Sequence, residues 1–176
     1  MTEYRRAFTP GGSYFFTVNL AQRHHADLLL REIGTLRDAV RRVRQSHPFA
    51  IVAAVVLPDH LHMIWRLPEA DADYPRRWQL IKGHFSRALK IDERRSASRL
   101  RKRERGIWQR RYWEHLIRDD DDLCRHVEYI HYNPVKHGHV MRPYDWPHSS
   151  FRRYVRQRLY PADWGASAAI RGLELE

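Results

Sequence analysis

The 176-residue chain has a single cysteine, Cys124, so no disulfide can form within it. A protein of the reducing cytosol is the default for such a composition, because disulfides belong mainly to secreted proteins. The longest apolar run, FAIVAAVVL, has nine residues against the roughly 20 that a membrane-spanning helix needs. The N-terminal stretch MTEYRRAFTPGG has no secretory apolar core. We therefore expect a cytoplasmic protein without a membrane partner.

Acidic residues are scarce relative to basic ones. The chain has 32 Lys and Arg against 21 Asp and Glu, which gives a net charge of +11. Arginine predominates, and its planar guanidinium binds phosphate through two hydrogen bonds at once. This balance favours a polyanionic partner, most simply nucleic acid. A basic, soluble surface without such a partner is the alternative that charge alone leaves open.

Apolar periodicity predicts alternating strands and helices within a single domain. The predicted strands span residues 13–20, 49–57, 60–67 and 112–118, and the predicted helices span 27–45, 74–91 and 119–133, followed by turns and a short helix after 146. The order β-α-β-β-α-β-α predicts an α+β fold of the ferredoxin-like, split βαβ type. In that fold one antiparallel sheet packs against helices. Many functions use this fold, so it does not select one.

Two histidines follow a tight turn in the stretch VVLPDHLHMIW, residues 55–65. Side chains alternate along a strand, so His60 and His62 share one face while Leu61 and Met63 point to the other. Two neutral imidazoles on one face can hold a divalent metal ion. Hairpin histidines bonded to backbone or water are the alternative. The strongly apolar surroundings favour the metal site, because burial of two polar rings there costs free energy unless they bind a partner. The pair His137 and His139 flanks Gly138 in a predicted loop and is interpreted as structural.

The third predicted helix carries a candidate third ligand and a candidate nucleophile. Tyr129 and Asn133 are four residues apart and therefore neighbours on one helical face. The amide oxygen of Asn133 could complete a site of two histidines, although Pro134 is expected to pull Asn133 out of regular helix. The Tyr129 phenol could attack a phosphodiester that a divalent ion polarises, leaving a covalent phosphotyrosine. A packed structural tyrosine is the alternative for Tyr129, and Tyr132 is the nearest rival nucleophile.

These residues resemble a known family. An H-hydrophobic-H motif after a strand turn, with a later helix carrying Tyr-x-x-x-Asn, is similar to the single-tyrosine HUH transposases. The phrases EYRRAFTPGGSYFFTVNL, VVLPDHLHMIW, IWQRRYWEHLIRDDDD, YIHYNPVKHG and DWPHSSF resemble the REP-associated tyrosine transposases of bacteria. The likeness extends over most of residues 3–160. The long phrases are specific, whereas the H-x-H motif alone is not.

The resemblance implies an activity, a cofactor and a partner. Family members nick single-stranded DNA beside hairpins formed by repetitive extragenic palindromes (REPs), become attached to the 5′ phosphate and leave a free 3′ hydroxyl. By position, His60, His62 and Asn133 would bind Mg²⁺ or Mn²⁺, and Tyr129 would be the nucleophile. The expected partner is single-stranded DNA with a REP-like hairpin, bound by a monomer or weak homodimer in the nucleoid region of the cytoplasm.

Further DNA contacts are predicted where arginines and aromatic residues interleave, because such segments bind the backbone and the bases of a single strand together. The candidates are Tyr4, Arg5, Arg6, Trp108, Arg110 and Arg111, with Tyr112 and Trp113 in the same run. The alternative for the tryptophans is a place in the core or at its rim.

The domain is expected to span residues 1–160, with a basic insertion at about 93–106 and a C-terminal tail over 161–176. The insertion contains RRSASRLRKRER and looks longer and more basic than the matching connection in the family. Arg101, Lys102 and Arg103 within it are expected to bind phosphates, and a solvated charged loop is the alternative.

Two other functions remain open from the sequence. A descendant of a transposase could bind DNA hairpins without cutting them, although a pure binder has no need of a nucleophile beside a metal. A metal hydrolase that uses water would need a carboxylate base near the histidines. Only Asp59 and, less plausibly, Glu114 are available for that role.

Overall fold

The computed structural model describes residues 8–23, 27–90, 98, 101 and 105–165. The predicted DNA contacts Tyr4, Arg5, Arg6, Lys102 and Arg103 lie outside these ranges, as do most of the basic insertion and the last 11 residues of the tail.

A four-stranded antiparallel sheet forms the centre of the fold. Its strands are β1 (Ser13–Asn19), β2 (Ala50–Val56), β3 (His60–Arg66) and β4 (Trp113–Leu116), in the spatial order β2-β3-β1-β4. The order means that β3 lies between the parallel strands β1 and β2, which is the arrangement of a split βαβ unit. The predicted α+β, ferredoxin-like fold class is confirmed.

The helices are placed along the chain largely where apolar periodicity predicts them. They are α1 (Leu28–Arg31), α2 (Ile33–Ser46), α3 (Tyr74–Ala88), α4 (Asp120–Lys136) and α5 (Phe151–Arg156), with a 3-10 turn at Pro143–Asp145. The single helix predicted over 27–45 is therefore two helices, interrupted at Glu32. Among the residues that the structure describes, no helix is long and apolar enough to span a bilayer.

Both faces of the sheet are covered. On one face Phe16 and Trp65 pack with α2 and α3 in the larger core cluster, which Leu61 joins from β3. On the other face Phe15 and Ile64 pack against α4 in a second cluster. The alternation of apolar residues along β1 and β3 on both faces explains why these two central strands are almost wholly buried.

The prediction that Pro134 pulls Asn133 out of the helix is wrong. Helix α4 passes through Pro134 and ends at Lys136, and the Asn133 carbonyl still accepts the backbone N–H of His137 at 3.0 Å. Gly138 follows with φ +70°, and the N–H groups of Gly138 and His139 bond back to the carbonyls of Val135 and Pro134. This glycine-dependent C-terminal motif satisfies the last carbonyls of the helix. Burial of Pro134 outweighs the tendency of a proline to keep the preceding residue out of helical geometry.

Candidate active site

The histidine pair, His60 and His62, lies on the face of β3 that α4 covers. In the register with β1, His60 pairs with Asn19 and His62 pairs with Thr17, so these four side chains share that face. Both histidines are buried, and their ring centroids are 5.0 Å apart with the planes at 82°. The prediction of a shared face follows the pleat of the strand, and Leu61 and Met63 do point into the opposite core.

A short hydrogen-bond chain fixes the tautomer of His60. Its Nδ1 lies 2.6 Å from Oδ1 of Asp59, whose Oδ2 accepts from Nε of Arg23 at 2.6 Å. Burial alone would raise the pKa of Asp59, but the hydrogen bonds from His60 and Arg23 outweigh it and hold that pKa well below its usual range. An ionised carboxylate only accepts, so Nδ1 of His60 carries the proton. In the neutral ring the lone pair is then on Nε2, the atom that a metal would use.

His62 is held on its Nδ1 side as well. Oγ1 of Thr17 lies 2.9 Å from that nitrogen, in a buried contact between neighbouring strands. The Phe15 ring stacks on His62 with centroids 5.4 Å apart. Both histidines are thus fixed through Nδ1 by a neighbouring oxygen, which is how proteins orient imidazoles toward a metal.

Helix α4 brings Tyr129 to His62, and Asn133 lies one turn further along the same helix. The Tyr129 ring is 5.4 Å from the His62 ring, only 1% of the residue is exposed, and Nζ of Lys136 lies 5.0 Å above the ring centre. Asn133 is buried, and within the described ranges neither amide atom of its side chain makes a hydrogen bond. Buried polar atoms are rarely left in this state. Two oriented imidazoles and a buried amide are donors of the kind that a divalent ion accepts.

Some residues at the site were not singled out from the sequence. Thr17, Asn19 and Arg23 contact or adjoin the histidines only because β1 and its following loop lie beside β3. His137, interpreted as a loop residue, has its ring 5.3 Å from that of His60. A helix predicted to continue through Pro134 would have placed His137 on the same face as Asn133, because His137 lies one turn later.

A second group with metal-binding side chains lies beyond Phe15. His115, Asp122 and His126 each offer one ligand atom, and these atoms lie within 4.8 Å of one another. The Asp122 carboxylate already accepts from His115 at 2.8 Å and from the backbone N–H and side chain of Arg118 at 3.1 Å. Burial works to raise the pKa of Asp122, yet these bonds hold it well below the usual range. Arg118 thus already neutralises the Asp122 carboxylate, and a metal at this group would have to compete with it.

The two carboxylates considered for a water-activating hydrolase are unsuited to that role. Asp59 is already engaged by His60 and Arg23. Glu114 pairs across the sheet with Phe16, and cross-strand partners share a face, so Glu114 points into the core on the side away from the histidine pair.

The described DNA-contact candidates divide by exposure. Arg101, Arg110 and Arg111 are exposed. Trp108 differs from the sequence expectation: it is 7% exposed, packs against Phe85 with ring centroids 5.2 Å apart, and forms a bridge with Leu20. In this structure the Trp108 ring presents no surface for a base, because Phe85 and the adjoining core enclose it.

Comparison with known proteins shows which family this chain resembles. Residues 19–133 match the sequence model of the IS200-like transposases. A protein of Haemophilus influenzae assigned to the REP-associated tyrosine transposases is 47% identical over 172 residues, covering 97% of each chain. The REP-associated tyrosine transposase of Escherichia coli K12 is 46% identical over 164 residues, covering 93% of this chain and 91% of the relative.

A solved structure has the same fold. It is that of a REP-associated tyrosine transposase bound to a REP hairpin, with a TM-score of 0.83 and 46% identity. The match covers 95% of this chain and 93% of the other.

Proposed function

Because this chain belongs to the REP-associated tyrosine transposases of the IS200-like transposase family, we propose that it cleaves and rejoins single-stranded DNA beside REP-like hairpins through a 5′-phosphotyrosine. One observation carries the proposal: the Tyr129 ring lies 5.4 Å from His62 and on the same face of the sheet as the oriented histidine pair. A phenol beside two candidate metal ligands is the minimum that phosphotyrosine chemistry needs.

Each site residue has a separate role in the proposed reaction. His60, His62 and Asn133 would hold Mg²⁺ or Mn²⁺, and the ion would supply polarisation of the scissile phosphate. Two nitrogen ligands favour manganese, while oxygen ligands suit either ion. Asp59 and Thr17 keep the imidazoles oriented.

Tyr129 supplies the attacking oxygen. The phenolic oxygen bonds to phosphorus and loses its proton, while the bond from phosphorus to the 3′ oxygen breaks and that oxygen takes up a proton. The DNA fragment that begins with the 5′ phosphate stays on Tyr129, and the other fragment ends in a free 3′ hydroxyl. Attack by a 3′ hydroxyl on the phosphotyrosine reverses these steps and rejoins DNA. The ammonium of Lys136, 5.0 Å from the ring centre, favours the developing phenolate by its charge.

The burial of Tyr129 has a consequence for this reaction. At 1% exposure the Tyr129 side chain is covered, so a phosphate can reach its hydroxyl only after a local rearrangement of the residues around it. We infer that binding of DNA and access to Tyr129 are linked.

The partner in this proposal is a DNA hairpin with a single-stranded segment. Exposed Arg110 and Arg111, together with Arg101 of the basic insertion, supply phosphate contacts, and the predicted contacts Arg5 and Arg6 would add to them. The protein acts as a monomer or weak homodimer in the nucleoid region of the cytoplasm.

A denaturing gel tests the chemistry. The protein is incubated with Mn²⁺ and a labelled single-stranded oligonucleotide that contains a REP hairpin, and a covalent band is sought. We expect the wild type and Tyr132→Phe to form the band, and Tyr129→Phe to bind the DNA without forming it. Tyr132 is the matched control because it is three residues away on the same helix.

Two results would contradict the proposal in different ways. A band that persists in Tyr129→Phe would assign the nucleophile to another residue. Tight binding of the hairpin by the wild type with no band in Mn²⁺ or Mg²⁺ would favour the alternative, a hairpin-binding protein without catalysis.

A further inference from the structure

Trp113 is an exposed aromatic residue in the same cross-strand row as His62. It begins β4 at the edge of the sheet and is 38% exposed. Thr17 pairs with Trp113 on one side and with His62 on the other, so the three side chains form one cross-strand row on the face that α4 covers. Two strand spacings place the backbone of Trp113 about 10 Å from that of His62.

The rings of neighbouring residues pack against the Trp113 indole. Its indole is nearly parallel to the His115 ring, with centroids 5.8 Å apart and planes at 10°, and His115 stacks in turn on His126 at 4.6 Å and 13°. Phe15 meets the indole edge-on at 5.5 Å. Asp122 fixes His115 through its 2.8 Å hydrogen bond. The indole is therefore a supported platform with an exposed side, and the catalytic chemistry proposed above does not use it.

The charges around this platform suit a nucleic-acid strand. Arg111 precedes Trp113 by two residues and Arg118 follows the end of β4, and both side chains are exposed. An aromatic face flanked by cations binds single strands by stacking on a base while the cations contact neighbouring phosphates. A planar base is thus the ligand that the chemistry of this surface favours.

We propose that Trp113 stacks on one unpaired base close to the scissile phosphate and so helps to set which nucleotide lies at the cut. This inference rests on the proposed function, because it takes the histidine pair as the place of the phosphate. A distance of about 10 Å corresponds to about three stacked nucleotides of one strand. The base is therefore expected within three nucleotides of the cleavage point.

Binding measurements without cleavage test the inference. In a Tyr129→Phe background, dissociation constants are measured by fluorescence anisotropy for a hairpin with a single-stranded tail, for the same hairpin without a tail, and for tails with one abasic site at successive positions. Trp113→Leu keeps apolar bulk against Phe15 but removes the ring, and Trp113→Phe keeps a smaller ring. Tyr144→Ala is the matched control, because Tyr144 is also 38% exposed and lies in the 3-10 turn Pro143–Asp145.

We expect Trp113→Leu to weaken binding of the tailed hairpin about tenfold, which is within the range for losing one base stack, and to leave the tailless hairpin unchanged. Trp113→Phe should recover most of the affinity, and Tyr144→Ala should have no effect. One abasic position should weaken the parent about tenfold and should not weaken Trp113→Leu further.

Equal abasic penalties in the parent and in Trp113→Leu at every position would overturn the inference, and so would a matching loss on the tailless hairpin. These results are independent of the covalent band. A protein that forms the band but shows no such coupling refutes the role of Trp113 alone, whereas a protein that binds no hairpin DNA refutes the proposed function as well.

Discussion

Removal of the Asp59 carboxylate is expected to weaken metal binding without removing any ligand. Asp59 accepts from Nδ1 of His60 at 2.6 Å, and in Asp59→Ala that imidazole loses both its fixed tautomer and its fixed orientation. Loss of a partner that orients a metal-binding histidine typically lowers affinity 10- to 100-fold. At about 1.4 kcal/mol per tenfold, this corresponds to about 1.4–2.8 kcal/mol.

The Arg23 side of the same chain provides a matched control. The Arg23 side chain is 40% exposed and the Asp59 side chain 18%, so solvent partly screens this ion pair from the Arg23 side. Exposed pairs contribute about 0–1 kcal/mol, so Arg23→Gln should weaken metal binding no more than about fivefold. The order of affinities is therefore expected to be wild type, then Arg23→Gln, then Asp59→Ala.

Titration with Mn²⁺ in the absence of DNA, followed by electron paramagnetic resonance of the free ion, measures these affinities directly. His126→Ala is included because the group of His115, Asp122 and His126 is the other place among the described residues where a metal could bind. If Asp59→Ala binds Mn²⁺ as tightly as the wild type while His126→Ala does not bind it, the ion belongs to that second group and the reasoning from Asp59 is refuted.

Two further predictions concern acid stability and salt. Burial lowers the pKa of His131 to about 3, so between pH 6.5 and 3 the unfolded chain takes up a proton there that the folded chain does not, and stability falls by about 1.4 kcal/mol per pH unit as the pH decreases. His131→Gln can keep the 2.8 Å contact with Ser150. In urea unfolding between pH 5.5 and 4.5, the slope of its unfolding free energy against pH should be smaller by this amount. An unchanged slope would mean that His131 is protonated in the folded protein. Replacement of Arg101, Lys102 and Arg103 by Gln should weaken DNA binding and reduce the slope of log K against log salt by up to about 0.7 for each phosphate of a single strand that the variant no longer neutralises. Binding curves at several salt concentrations measure this, and an unaltered slope would exclude the basic insertion from DNA binding.

Much of the fold follows from local periodicity. The alternation of apolar residues in SYFFTVNL and HLHMIWRL gives two strands buried on both faces, and the same alternation puts His60 and His62 on one side. Four-residue spacing likewise predicts that Tyr129 and Asn133 share a helical face, and both are buried on α4. These are short-range relations, which the pleat of a strand and the pitch of a helix fix.

Local rules fail where burial at a distance competes with them. Pro134 disfavours helix at Asn133, yet α4 continues because its buried side packs on the sheet and Gly138 closes its end. Trp108 lies in a run of arginines and aromatics that is typical of a DNA-binding surface. It is nevertheless buried in the core, where it packs against Phe85 and forms a bridge with Leu20. Glu114 lies on β4, and its pairing with Phe16 places its side chain on the face of the sheet opposite the histidine pair.

The sequence by itself determined the fold class, and it predicted a nucleic-acid partner and the candidate ligands and nucleophile. Periodicity, composition and motif spacing are all properties of neighbours along the chain. Only the tertiary structure decided that Thr17 and Asn19 lie beside the histidines and that Arg23 bonds to Asp59. It also decided that the Tyr129 ring lies 5.4 Å from His62 and that Trp113 lies in the same cross-strand row at the sheet edge. Those contacts depend on which strands become neighbours and in what register. That choice is made by packing the whole core, which no short stretch of sequence contains.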